Sequence, residues 1–207
     1  MKALTITLLV LVSITTQAQD SGEVRTLFNS PMRSGGYGAI SNKFTAVHGG
    51  FANMPEIYGG WFIGKRFLLG VGGGATTNYI KVPTAESARP DKRMSYIYGQ
   101  AGLVNELVIA SNSPIHPVLH LYNGGGFSLQ YERPRWDDVD EIDYDDEDIY
   151  GTQWHYISEV GVQIELNLFK WMRLSPGVSY RFAFDGSQLN KDISGPSVSV
   201  AMKFGKF

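Results

Sequence analysis

Between Gln153 and Leu168 the chain alternates with a period of two. Trp154, Tyr156, Ser158, Val160, Val162, Ile164, Leu166 and Leu168 hold the even positions, while Gln153, His155, Glu159, Gly161, Gln163, Glu165 and Asn167 hold odd ones. A helix returns to one face every 3.6 residues and cannot give this pattern; a strand with two unlike faces does. The next segment repeats it, with Leu174, Pro176, Val178, Tyr180, Phe182 and Phe184 opposing Arg173, Ser175, Gly177, Ser179 and Arg181. Leu119, Leu121, Phe127, Leu129 and Tyr131 oppose His120, Gly124, Gly126, Ser128, Gln130 and Glu132, and Phe67, Leu69, Val71, Ala75 and Tyr79 oppose Gly70, Gly72, Gly74, Thr76 and Asn78. Weaker alternation marks residues 35–47, 56–64, 94–109 and 197–207, so eight strands are predicted. Their connections at 48–55, 81–93, 133–151 and 185–195 are long; those at 64–66 and 169–172 are short, and 110–117 is intermediate. Long loops at one end and shorter turns at the other are the habit of an up-and-down barrel whose termini share the short-turn end.

Alternation does not say which face points inward. A soluble barrel would place the apolar face around a ligand, a membrane barrel against lipid. Glycines recur on the polar face at positions 70, 72, 74, 124, 126, 161 and 177, as a crowded narrow interior requires. Tyr79, Tyr131, Trp154, Tyr156, Phe182 and Phe184 sit on the apolar face beside the long loops, where an aromatic girdle meets headgroups, with Trp171, Phe67 and Phe204 near the other rim. The expected fold is therefore all-β, an eight-stranded antiparallel up-and-down transmembrane β-barrel.

The first 19 residues read as a signal peptide: Lys2, then the apolar run Ala3 to Val12, then a polar stretch to Ala18 and Gln19. The expected organisation is signal peptide 1–19, an N-terminal periplasmic segment 20–33, and a barrel over 34–207 with a long acidic loop at 132–151. Mean hydropathy is -0.13, but an alternating strand hides its apolar face in any average. Zero Cys excludes disulfides, thiolate metal sites and a Cys nucleophile, and a net charge of -2 argues against nucleic acid. That charge is uneven. After removal of the signal, 17 basic residues face 20 acidic ones, nine of them in one loop.

The runs Ser34-Gly-Gly-Tyr-Gly-Ala39, Glu56-Ile-Tyr-Gly-Gly-Trp-Phe-Ile63 and Phe67-Leu-Leu-Gly-Val-Gly-Gly-Gly74 resemble small outer-membrane β-barrel proteins of the Bacteroidota, of the OmpA and OmpX type. The resemblance implies location in the outer membrane of a Gram-negative bacterium after export. It implies a structural or surface-interaction role and carries no catalytic signature. Such barrels commonly end on a lipid-facing aromatic; here Phe207 is out of step with Val198, Val200, Met202 and Phe204, so either a bulge intervenes or Phe204 is the effective end signal.

Candidate chemistry lies on the inner face and in the loops. Glu159 and Glu165 on one strand and Arg173 and Arg181 on the next are expected to form a lumen charge network, because isolated buried charges are costly. Glu56, Glu106, Lys203, His120 and His155 share that face. The lumen is expected to be narrow and plugged. A lipid A modifying enzyme is the main alternative, but His155 and Ser158 have opposite parity and face opposite sides of the wall. His116 and His120 lack the helix that would make their spacing a metal pair, and Gly70 to Ala75 lacks the helix of a dinucleotide site. A soluble ligand-binding barrel is a further alternative. Asp137, Asp138, Asp140, Glu141, Asp143, Asp145, Asp146, Glu147 and Asp148 form a solvated loop with the oxygen donors for weak binding of calcium or another divalent cation. Lys81, Arg89, Lys92 and Arg93 in another long loop are expected to pair with it or to meet lipid phosphates. No cofactor and no nucleic acid partner is expected. The expected partners are outer-membrane lipid and lipopolysaccharide, the barrel insertion machinery and an unidentified extracellular partner, with the chain a monomer.

Overall fold

The computed structural model describes residues 34–133 and 149–207. The segments 1–19 and 20–33 and the nine carboxylates 137–148 lie outside the described residues. Ten strands form in chain order: β1 (Ser34–Val47), β2 (Gly50–Ile63), β3 (Phe67–Ala75), β4 (Ile80–Lys81), β5 (Met94–Val108), β6 (Ile115–Glu132), β7 (Ile149–Phe169), β8 (Met172–Asp185), β9 (Gln188–Leu189) and β10 (Gly195–Lys206). Every pairing is antiparallel. The order β10-β1-β2-β3-β5-β6-β7-β8 closes on itself through β8 and β10, giving a ring of eight, with β4 on β5 and β9 on β8 as short additions.

The apolar phase faces outward on the ring. Ile57, Val71, Leu103, Val162 and Val198 are among its exposed residues, whereas Glu106, Glu159, Glu165, Arg173, Arg181 and Lys203 are buried. Paired glycines mark a close approach of neighbouring strands: on opposed Gly102 and Gly124, an added Cβ at either residue would land within 2.4 Å of a backbone carbonyl oxygen of the adjacent strand. Only hydrogen fits there.

Several boundaries differ from expectation. The first connection, expected to be long, is the two-residue turn His48-Gly49, with φ of 48° and 71°. Consecutive positive φ values match the twist of a hairpin. The strand that follows was obscured because Ala52 and Met54 bury apolar side chains inward while Phe51 is exposed outward, so both faces read as hydrophobic. β3 stops at Ala75, leaving Tyr79 in the connection before β4. β6 and β7 begin earlier than the alternation showed. Lastly, the β10 registers with β1 and β8 run without a bulge. Phe207 packs beside Tyr37 and Phe62, and Phe204 stacks beside Trp171, so Phe204 is the last aromatic residue in the outward phase.

Candidate functional site

The inner face is stacked in three layers. Nearest the short turns, Lys203 Nζ lies 2.8 Å from Glu106 and 2.9 Å from Glu165. Glu106 also accepts the Tyr37 hydroxyl and meets His120 Nδ1 at 3.0 Å; Glu165 pairs with Arg173, meets His116 Nε2 at 3.0 Å and accepts the Ser175 hydroxyl. Phe62, Leu68, Val108 and Val118 are buried at this end, and the Arg173 guanidinium lies 3.8 Å from the Phe207 ring centroid. In the middle layer Lys43 Nζ bridges Glu56 and Glu159, each at 2.9 Å. Gln100 Nε2 donates to Glu56, and the Ser179 hydroxyl donates to Glu159. The cavity at this level measures about 20 Å³, room for about one water molecule.

The third layer is Arg181, fully buried, which donates to the carbonyls of Ile193 at 2.8 Å and Ala46 at 2.9 Å and lies over the Tyr98 ring. Above it Val47, Ala52, Met54, Ile80, Val82, Met94, Tyr96 and Ile193 form an apolar roof across the long-connection end. The four expected network residues are thus all inside, but not paired two by two. Glu165 meets Arg173, whereas Glu159, opposite Arg181 in backbone register, takes Lys43 from across the lumen, and Arg181 rests on carbonyls. Lys43 was missed from sequence. Its phase, Tyr37, Ala39, Ser41, Lys43 and Thr45, is the buried one of β1, but Gly36 and Gly38 in the other phase blur the contrast.

His155 and Ser158 lie on opposite sides of the wall as expected: His155 is buried and Ser158 half-buried in the outward phase. The register brings His155 to two other residues. Its Nε2 lies 3.0 Å from the Ser128 hydroxyl, and its Nδ1 bonds to Asp185. The series has the order of a nucleophile, a base and an orienting carboxylate. Ser128, however, is only 3% exposed, under the roof, so the array serves as a polar strut tying β6, β7 and the end of β8 together. The contact is a diagonal one across a regular ladder, Ser128 facing Gln153 and His155 facing Gly126, with the register shift between Ser128 and Gln130 lying just beyond it. His116 and His120 share the inner face but bind different glutamates. Among the described residues there is no group of three His, Cys, Asp or Glu side chains placed to hold a metal.

At the rim beside the long connections, Tyr79, Trp154 and Tyr156 are exposed, while Tyr131, Phe182 and Phe184 are half-buried in the outward phase. Trp61, Phe169 and Trp171 are exposed near the short turns. The four loop cations divide. Arg89 pairs with Asp91, and their hydrogen bond raises the guanidinium pKa and lowers that of the carboxyl. Lys92 pairs with Glu132, whose hydrogen bond raises the ammonium pKa. Lys81 and Arg93 are exposed. In the β1–β2 turn, His48 stacks on Tyr96 with ring centroids 3.9 Å apart, and partial burial lowers its pKa.

A closed antiparallel ring of eight strands, apolar outside and charged within, defines the class as the small outer-membrane type of β-barrel fold. Solved structures show the same architecture. Neisserial surface protein A superposes with a TM-score of 0.55 at 14% identity, over 86% of this chain and 100% of that one. The N-terminal β-barrel domain of Pseudomonas aeruginosa OprF gives 0.53 at 8% identity, over 83% and 96%. No protein-family model matches the sequence, and no curated protein matches it.

Proposed function

We propose that the chain is an integral outer-membrane protein of a Gram-negative bacterium, exported by residues 1–19, with a closed lumen and a structural or surface-interaction role without catalytic turnover. One observation carries the reading: the buried residues of the ring include four carboxylates or cations per lumen layer at most, each held by partners, while the exposed ones form an apolar belt. A soluble barrel has the reverse arrangement, because water outside favours the charges there and an apolar ligand favours the interior. The aromatic residues at both rims fit the two headgroup levels. Outer-membrane lipid, including lipopolysaccharide, is the surrounding partner, and the outward Phe204 suits engagement by the insertion machinery. The barrel acts as a monomer and binds no nucleic acid. Three filled layers and an apolar roof favour a plug over a pore.

The test joins fractionation to conductance. The protein should partition with the outer membrane, shift its gel mobility on heating, and give no steady conductance in planar lipid bilayers. Recovery in the soluble periplasmic fraction would overturn the membrane assignment, and stable open channels would overturn the closed lumen.

A further inference from the structure

The cations around β4 and the β5 and β6 ends beside it separate into those with carboxylate partners among the described residues and those without, and the second group is gathered in one place. Lys81 on β4 is in register with Ser95 on β5, and Arg93 lies two residues before Ser95. The Arg133 amide donates to the Arg93 carbonyl at 2.9 Å, which continues the β5–β6 ladder one step beyond Met94 and Glu132. Residues opposed in this way, or diagonally across neighbouring strands, have Cβ atoms about 5–8 Å apart. Lys81 and Arg93 are exposed. The Arg133 guanidinium lies 4.8 Å from the ring centroid of exposed Tyr79, and its Nε has no hydrogen-bond partner. Among the described residues none of the three has a carboxylate partner. Three cations on adjacent strands repel one another, and opposed like charges destabilise a sheet.

Below this cluster the outward face changes character. A shallow groove of about 1140 Å³ is lined by Ile57, Val71, Gly73, Ala101, Leu103 and Asn123. Ala101 is eight residues from Arg93 on the same strand phase, about 27 Å along the strand. At a tilt of about 40° that is about 20 Å in depth, comparable to one leaflet of a bilayer whose apolar core is about 30 Å thick. Arginine in a planar fork and lysine as a point charge both suit phosphate oxygens.

We propose that Lys81, Arg93 and Arg133 bind the phosphate of an outer-leaflet phosphorylated glycolipid, with an acyl chain of the same molecule lying in the Gly73–Ala101 groove. The site rests on the membrane reading above and adds a specific lipid to it. Phosphate supplies a counter-charge that the described residues do not, Tyr79 holds the Arg133 guanidinium in place, and the small side chains admit the chain against the wall.

The experiment compares the full-length protein with the triple variant Lys81→Gln, Arg93→Gln, Arg133→Gln and with the opposite-rim control Lys65→Gln, Arg66→Gln. Each is purified in detergent, its folding is checked by heat-modifiable mobility, and retention of diphosphoryl lipid A, phosphatidylethanolamine and free pyrophosphate is measured by native mass spectrometry and by titration. Lipid A retention should fall at least about tenfold in the triple variant and stay unchanged in the control. Folded triple variant with undiminished lipid A retention overturns the site while leaving the membrane reading intact. Pyrophosphate bound as tightly as lipid A overturns the lipid assignment. Binding that emerges only after deletion of residues 137–148 overturns it too, since the acidic loop would then be the native occupant. Failure of the unmodified protein to enter membranes at all is the separate outcome that removes the underlying reading.

Discussion

The two faces of one strand obey different rules. On β7 the outward residues Val160, Val162 and Ile164 are exposed, while Glu159, Gln163 and Glu165, which alternate with them, are buried. Against the lipid proposed above, the outer face needs only an apolar character, because a fluid acyl phase accepts any side chain of that kind. The inner face needs particular partners. Glu165 meets Lys203, Arg173, His116 and Ser175 from three other strands, and among the described residues it is the one carboxylate that pairs with Arg173. Specificity in this barrel therefore resides in the lumen, and the outward surface is a continuous apolar belt.

The strongest way to break this contrast is to remove one lumen charge. Lys203 is fully buried and serves both Glu106 and Glu165. Lys203→Met should destabilise the folded barrel by about 3–5 kcal/mol, the usual loss when a buried charge is left without its partner. Urea unfolding in lipid vesicles checks it. Combining it with Glu106→Gln should recover part of the loss, since one orphaned carboxylate is removed. Equal losses in the single and double variants would show that the network is not pairwise. The outer face should respond to charge and ignore shape. Val162→Arg should cost about 2–4 kcal/mol near the bilayer midplane, whereas Val162→Leu should stay within about 0.5 kcal/mol. A large effect of the leucine would mean that Val162 packs against a specific partner, and the contrast between faces would fail.

The same asymmetry explains what could be read from sequence. The period-two signal was clearest on β7 and β8, where apolar and polar residues separate best, while the direction of the faces came from the glycines of the polar phase and the aromatic residues beside the long loops. It faded on β2, where Ala52 and Met54 turn inward under the roof, and on β1, where Gly36 and Gly38 carry no side chain to mark a phase. Pairing was less accessible still. Glu159 has Arg181 as its register neighbour but binds Lys43, which approaches from the far side of the ring. A partner across a closed barrel depends on curvature and side-chain length, which no local pattern contains. The contact of His155 with Ser128 and Asp185 joins three strands, and only the β6–β7 and β7–β8 registers bring those residues together.

The smallest effect is expected at the rim, where neither rule applies in full. His48 stacks on Tyr96, its backbone amide donates to the Asp192 carbonyl at 2.6 Å, and its Nε2 has no hydrogen-bond partner. Burial is the main influence on its pKa and lowers it; Asp192 and Glu86 act in the opposite direction, and His155 adds to the lowering. Because the folded state holds fewer protons than the unfolded state, its contribution to stability is complete above the ordinary histidine pKa of about 6.5 and declines as pH falls through that value toward the depressed one. Thermal unfolding in detergent should therefore shift to slightly lower temperature between pH 7.5 and pH 5.5, and His48→Gln should remove that part of the shift. A variant with the unmodified pH response would show that the effect does not originate at His48.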